Sequence, residues 1–495
     1  MVTALLTLRL ATGALSREEF GLWSFTTQSV GYFLLLDFGV SNSLGRLFAE
    51  PLASGNQKTI NSWFTLAIAV LALQGLVILA AGLLLRDSVL EWFQIPIALR
   101  EDAAKLWLAF LVIQAINLPL RVSSSILYAQ NRAYLSNLFP LITCWVSLGG
   151  FYFMLNHGNG VMSYAWSSGI GVLIGGFAGA IALISGPNRF KISLIGVTSR
   201  QMKELFSYSS SVFVAAIAIQ IVFSSQALVV TKILGLTAGA MYNVTSRLPL
   251  LGMQMLWRPF DAFGPRWQTA HCNDHHEQVA SEFTVLFRLT LMAGVLGASY
   301  LMLINPLFVA LWAKPEYYAG DAPNIFIGVF LVIQTLIHCF SFGFFLRKKL
   351  TVYTRVILVT TILAVLFMIS GVKLIGCAGI PAGLIVADLV FGFWFYLIKG
   401  GQLLGVNARS LLLRDIGVCL ATFFAAGALT LTSRHWLFGN TVAQLMRICG
   451  VAMVLGLPLL WRAWSVAKAS FLFSKNANVE SSAADIQSVL PGSIE

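Results

Sequence analysis

Apolar stretches of about twenty residues recur along almost the whole of this 495-residue chain, and no other feature narrows its fold so far. A helix crosses the roughly 30 Å hydrocarbon layer in about 20 residues, so each stretch is a candidate span. The stretches lie near 2–15, 20–45, 62–85, 104–127, 136–155 and 161–184, then near 206–232, 238–261, 284–311, 323–345, 352–371 and 377–398, with two more near 415–432 and 440–461. They predict an all-α polytopic membrane protein of about fourteen helices, with connections too short for a large domain outside the membrane. Charged residues make up 11% of the chain, against roughly 25% in soluble domains, which fits the same reading. The first stretch, ending at Leu15, reaches only about 22 Å at 1.5 Å per residue, so it either sits shallow or lacks residues upstream of Met1.

The 32 Lys and Arg against 20 Asp and Glu give a net charge of +12. In a soluble protein this would suggest nucleic acid, but in a polytopic chain the bias of basic residues toward cytoplasmic loops accounts for it. Arg189, Lys191, Arg200 and Lys203 mark 185–205 as cytoplasmic, and Arg347, Lys348, Lys349 and Arg355 mark 347–355. With the basic 399–414 segment, they place both termini in the cytoplasm. Met1 to Leu15 lacks the basic start and cleavage site of a removable signal, so the first span is expected to stay. Six cysteines lie far apart without a CxxC pair and read as packing residues.

The string FLVIQ occurs at Phe110–Gln114 and again at Phe330–Gln334, an offset of 220. Trp92 and Trp312 share that offset, as do Arg46 and Arg266, and the Gly-Phe pairs at Gly176 and Gly392 match after a small gap. Six helices fit within 220 residues, and an even number gives the two repeats the same orientation. This predicts two parallel six-helix lobes, 1–184 and 206–400, joined by a cytoplasmic linker at 185–205. Helices 13 and 14 follow in 401–465, and a Ser/Ala-rich cytoplasmic tail, expected to be disordered, occupies 466–495. In transporters built on parallel repeats the substrate site lies between lobes and access alternates.

Ionisable groups inside spans are expensive and normally face a wet cavity or a partner. Asn243, Arg247, Gln254, Arg258 and Asp261 fall at helical spacing on one face of the eighth span, and two arginines on one wall suit an anion. The fourth span carries Gln114, Asn117, Arg121, Ser124 and Tyr128 at steps of three and four, and its twin carries Gln334, His338 and Ser341. Snorkelling to headgroups explains Arg121 or Arg247 equally well. Asp261 can neutralise Arg258 without any ligand. Asp37 reads as a coupling carboxylate or as a partner of Arg9. Asp388 reads first as an interhelical hydrogen bond and second as a coupling site.

Other motifs carry less. His271, Cys272, Asp274, His275 and His276 lie in one loop without a matched second pair of ligands, so no metal is expected there. Gly171, Gly175 and Gly179 form GxxxGxxxG, a packing device. Pro119, Pro249 and Pro259 are candidate kinks, which membrane helices also tolerate for structural reasons alone. The chain contains no Walker, GxSxG or HExxH motif, which disfavours an ATP-driven pump or a membrane hydrolase; no cofactor is expected.

At the second span, Arg9, Gly13, Phe20-Gly21, Asp37-Phe38-Gly39 and Arg46 follow one another in RLATGALSREEFGLWSFTTQSVGYFLLLDFGVSNSLGRLFAE. This pattern resembles the opening of bacterial oligosaccharide flippases of the MOP superfamily, the O-antigen or Wzx-type polysaccharide transporters, and the span count and repeat extend the likeness over the chain. The resemblance implies a non-enzymatic carrier of the bacterial cytoplasmic (inner) membrane. It would move undecaprenyl pyrophosphate-linked oligosaccharide from the inner to the outer leaflet for O-antigen, capsule or exopolysaccharide. Expected partners are that lipid-linked substrate, membrane lipids, and polysaccharide polymerase and assembly proteins, but no nucleic acid.

On this reading Arg258 and Arg247 anchor the headgroup, with Arg9, Arg121 and Asn243 as further substrate contacts. Gln114, Asn117 and Gln254 contact sugar or phosphate, and Asp37 and Asp388 are the ion-coupling candidates. A multidrug and toxin extrusion-type exporter is the first alternative and calls for acidic cavity residues. A membrane glycan polymerase or ligase calls for a long outer loop, and a scaffold would leave the polar stripes unexplained.

Overall fold

The computed structural model describes residues 2–33, 40, 44, 47, 48, 51, 52, 54–130, 132–186, 190–192, 197–272, 274–347, 349–432, 450, 454 and 456–466. Among them the chain is helical, with no strand. In chain order the helices are α1 (Val2–Ala14), α2 (Arg17–Phe33), α3 (Gln57–Trp92), α4 (Arg100–Ala129), α5 (Ala133–Asn156), α6 (Met162–Ile184), α7 (Ser199–Leu234), α8 (Leu236–Cys272), α9 (His276–Trp312), α10 (Asp321–Leu346) and α11 (Leu350–Ile375). The next apolar stretch runs through α12 (Gly379–Ala387), α13 (Phe393–Phe395) and α14 (Gly401–Leu404), which π-helical turns at Asp388–Gly392 and Tyr396–Gly400 separate. It is followed by α15 (Ala408–Thr432).

Eight helical stretches among the described residues are long and apolar enough to cross a membrane. The gap from fourteen has local causes. α1 has 13 residues, part of the 20–45 run and most of 440–461 lie outside the described residues, and Thr351–Leu404 counts as one stretch where two spans were expected. α8 is 37 residues long but carries the polar stripe, and α15, expected as the span at 415–432, is likewise not among the eight.

Local sequence sets several boundaries. Ser16 and Glu19 form a reciprocal cap between α1 and α2: the Glu19 amide donates to Ser16 Oγ at 3.2 Å and the Ser16 amide to Glu19 Oε2 at 2.8 Å. Thr198 and Gln201 repeat the device at the start of α7.

The chain divides into two compact units. Unit 1 comprises Met1–Thr245, Phe308–Ala319 and Thr351–Ala387; unit 2 comprises Ser246–Leu307, Gly320–Leu350 and Asp388–Glu495. In unit 1, α6 packs on α5 through the glycine stripe, where a Cβ on Gly171 would lie 2.7 Å from the Thr143 carbonyl oxygen. α3 and α4 are held by the buried Trp107 Nε1, which donates to the Gly82 carbonyl at 2.9 Å. Phe20, Trp23, Phe151 and Tyr164 build an aromatic centre, and the buried Tyr317 adds its ring edge-on to Phe20 at 5.4 Å.

Unit 2 has an aromatic core of Phe260, Trp267, Phe283, Phe287 and Phe340 with ring centroids 5.0–6.0 Å apart. Trp267 Nε1 donates to Glu282 Oε2 at 3.0 Å while Arg266 Nη2 donates to Glu282 Oε1 at 2.6 Å, tying α8 to α9.

Candidate functional site

The polar face of α8 continues into unit 2, where Arg258 and Asp261 lie one turn apart and both are exposed. Their closest approach, Nη1 to Oδ2, is 4.0 Å, the outer limit of an ion pair. Asp261 also faces α10: His338 Nε2 lies 3.4 Å from Asp261 Oδ1. The imidazole stacks on Trp257 with centroids 4.5 Å apart and planes 7° from parallel, so its orientation is fixed on two sides. A guanidinium has five N–H donors, and one contact at 4.0 Å leaves most of Arg258's donor capacity to an incoming anion. Gln254, one turn earlier, is exposed, and Arg247 is half-buried.

One turn before His338 on the same helix, Gln334 Nε2 donates at 2.8 Å to Oδ2 of Asp388, which is buried. Asp388 opens the first π-helical turn. The widened turn places the carboxylate within reach of α10, where Gln334, from the second FLVIQ string, supplies the donor. The interhelical hydrogen bond expected of Asp388 is present.

The α4 stripe lies in unit 1. Asn117 Nδ2 donates to Gln114 Oε1 at 3.3 Å, and both are half-buried. Asn117 and Arg121 line a cavity of about 420 Å³ with Ser124, Ser125 and Thr143. Asn243 points elsewhere, its amide donating to Ser24 Oγ of α2. Arg9 lies over the ring of Trp312 at 5.1 Å, and Trp312 Nε1 donates to the Leu5 carbonyl at 2.7 Å. These two expected substrate residues are engaged by the protein itself. Beside them Arg17 meets Glu316 at 3.0 Å, and this neighbour holds the Glu316 carboxyl below its ordinary range. Asp37 and Arg46 lie outside the described residues.

The family model described as polysaccharide biosynthesis protein matches residues 1–262, more than half of the chain. The chain belongs to that family. Among curated proteins none matches the sequence. This family member also has the fold of MOP superfamily transporters. An inward-facing multidrug resistance MATE family transporter of that superfamily superposes with a TM-score of 0.73 at 16% identity, covering 81% of this chain and 94% of its own. The lipid II flippase MurJ in an inward closed conformation gives 0.66 at 15% identity, covering 95% and 97%. A MOP superfamily transporter from Pyrococcus furiosus gives 0.61 at 16% identity, covering 81% and 92%.

The sequence reading of this family member missed two groups in unit 2. Trp257, which fixes His338, carries no signal beyond lying one residue before Arg258. The second group centres on the buried Asp415, which accepts from Arg288 Nε at 2.6 Å and Nη2 at 3.0 Å and from Arg462 Nε at 3.0 Å. Three isolated ionisable residues at or inside apolar runs were the available signal. In the histidine loop, His271 Nδ1 approaches His276 Nδ1 at 2.8 Å, and Asp274 lies 3.6 Å from His276. Among the described residues no three His, Cys, Asp or Glu side chains are grouped to hold a metal.

Proposed function

We propose that this protein carries undecaprenyl pyrophosphate-linked oligosaccharide from the inner to the outer leaflet of the bacterial cytoplasmic membrane by alternating access, for surface polysaccharide assembly. One observation carries the reading: Arg258 and Gln254 stand exposed on one face of α8, with Asp261, His338 and Trp257 beside them. A guanidinium suits a pyrophosphate, which it binds through paired charge-assisted hydrogen bonds, and the neighbouring amide and imidazole add hydrogen-bonding groups for sugar hydroxyls. Family membership supports a role in polysaccharide biosynthesis. The fold shared with a lipid II flippase supports a lipid-linked cargo.

Arg247, half-buried on the same helix, is assigned as the second headgroup anchor. Asp388 and Asp37 are assigned as the two coupling carboxylates. A membrane potential negative inside drives outward movement of negative charge with about 2.3 kcal/mol per charge per 100 mV. Polymerase and assembly proteins would take the product on the outer side.

The test is outward movement of undecaprenyl pyrophosphate-linked oligosaccharide in proteoliposomes under a potential of either sign. Intact protein is expected to move it, and Arg258→Ala to slow it at least tenfold, the loss of one charge-assisted contact of about 1.5–3 kcal/mol. Unchanged movement in Arg258→Ala with Arg247→Ala would remove the anchoring role. Export of a cationic drug with no movement of any lipid-linked glycan would transfer the site to the multidrug reading.

A further inference from the structure

The triad around Asp415 in unit 2 carries more positive charge than it cancels. Arg288 of α9 takes up both carboxylate oxygens: Nε donates to Oδ2 at 2.6 Å and Nη2 to Oδ1 at 3.0 Å, and both side chains are buried. Arg462, from the helical residues 456–466, reaches Oδ1 from outside, through Nε alone, at 3.0 Å. Two guanidiniums against one carboxylate leave one positive charge over, and among the described residues no second carboxylate pairs with either arginine. The contact through Nε leaves the two Nη groups of Arg462 for another acceptor, and its side chain is 39% exposed.

The surroundings of Arg462 select the acceptor. Leu457, Leu460, Trp461 and Trp464 of the same helical stretch are all exposed, an apolar surface of the kind that meets lipid. The two tryptophan rings lie 5.9 Å apart, and tryptophans gather at the headgroup level of a bilayer. Arg462 stands in sequence between them. Arg409 and Arg414 are exposed on the first turns of α15, Arg414 next to Asp415 itself, so further cations lie on this side of the joint. An unneutralised guanidinium inside an apolar surface is expensive and takes an anion where one is at hand. At headgroup depth that anion is a lipid phosphate, which a guanidinium holds through two parallel N–H bonds. A zwitterionic headgroup brings its own cation, whereas an acidic one brings the net negative charge that the triad lacks.

We propose that Arg462 holds the headgroup phosphate of an acidic phospholipid at the surface of unit 2, with Arg414 adding to the attraction and Trp461 and Trp464 beside the lipid. The phospholipid completes the charge balance of the Arg288–Asp415–Arg462 joint, as headgroups do in basic pockets between membrane helices. It is a resident of the surface and not cargo, so the site stands whether or not the protein is a flippase.

The experiment titrates phosphatidylglycerol and phosphatidylcholine into the full-length protein in detergent, with native mass spectrometry as the readout of each lipid bound. Phosphatidylglycerol is expected to bind about tenfold tighter or more. Arg462→Gln leaves the Arg288–Asp415 pair neutral and in place, so the protein should stay folded, and it should weaken phosphatidylglycerol about tenfold, the loss of one charge-assisted contact. Arg462→Lys should keep part of the preference, because the charge remains and the planar fork is lost. Lys349→Gln removes an exposed cation elsewhere in unit 2 and should leave binding unchanged. Added phosphatidylglycerol should also raise the unfolding temperature of the intact protein more than that of Arg462→Gln. Phosphatidylglycerol held as tightly by Arg462→Gln as by the intact protein would overturn the site. Equal weakening in Lys349→Gln would also overturn it, by showing a diffuse attraction to surface charge. Undecaprenyl phosphate bound more tightly than phosphatidylglycerol, with the same dependence on Arg462, would overturn the choice of a phospholipid.

Discussion

Two pairs of cations, one in each unit, are held in opposite ways. In unit 1 the twin tryptophans each face a cation distant in sequence: Lys232 lies 4.9 Å from the Trp92 ring centroid, and Arg9 lies 5.1 Å from that of Trp312. Lys232 Nζ also reaches the Trp92 carbonyl oxygen. These contacts sit at helix ends, with Trp92 60% exposed, where a cation–π contact is worth about 0.5–1 kcal/mol. In unit 2 Arg288 is buried and bound through two nitrogens to Asp415, which also accepts from Arg462. Breaking such a pair strands a charge away from water. These two cation–π contacts are therefore weak enough to be broken and remade, while the triad holding α15 and residues 456–466 to α9 is a fixed joint.

The largest test of this contrast is Asp415→Ala, which leaves Arg288 without its carboxylate and should cost about 3–5 kcal/mol, read as a lower unfolding temperature in detergent. Replacing both partners, Arg288→Met with Asp415→Leu, should recover most of the loss. A cost below about 1 kcal/mol for Asp415→Ala would put the triad in the same class as the exposed cation–π contacts and erase the contrast.

The repeated FLVIQ glutamines sharpen it at intermediate size. Gln334→Leu removes the hydrogen bond to the buried Asp388, at a cost of about 1–3 kcal/mol for an unsatisfied group. Gln114→Leu loses the contact with half-buried Asn117, a single neutral hydrogen bond worth about 0.5–1.5 kcal/mol. Equal losses would mean that the repeat preserves the environment of this position as well as its sequence.

A smaller difference separates the two tryptophans. Trp312→Phe keeps a ring beneath Arg9 but removes the 2.7 Å bond to the Leu5 carbonyl. Trp92→Phe keeps both the ring and the carbonyl that Lys232 reaches. The first should cost about 1 kcal/mol more than the second in unfolding free energy.

The helices were legible because hydrocarbon thickness fixes their length. The glycine stripe behaved as read, since close helix approach is a local property of spacing. Partners were not legible. Periodicity put Asn243 and Arg258 on one face of α8, yet the first donates to Ser24, 219 residues earlier, and the second stays exposed. Asp415 and Arg288 are separated by 127 residues, and nothing in either neighbourhood announces the other. Asp388 was marked as a buried polar group, but the π-helical turn that sets its position has no sequence signature in LIVADLVFG.

The smallest effect concerns pH and distinguishes the two tryptophan sites. Arg17 hydrogen-bonds to the Glu316 carboxylate and holds its pKa below the ordinary value, with Lys314 acting in the same direction. A carboxylate depressed in the folded state stabilises it above the unfolded pKa, and that contribution fades as pH falls through the depressed value. The loop beside Trp312 should therefore loosen in acid. The reporter is the Ala319 amide, which donates to Thr245 Oγ1 at 2.9 Å: its hydrogen exchange, corrected for the intrinsic rate, should lose protection as pH drops below about 4, and Glu316→Gln should flatten that dependence. The Trp92 site is held through a backbone carbonyl, which does not titrate, so amides at the end of α3 should keep their protection over the same range. Parallel loss at both ends would mean that acid acts on unit 1 as a whole and that the Arg17–Glu316 pair has no local role.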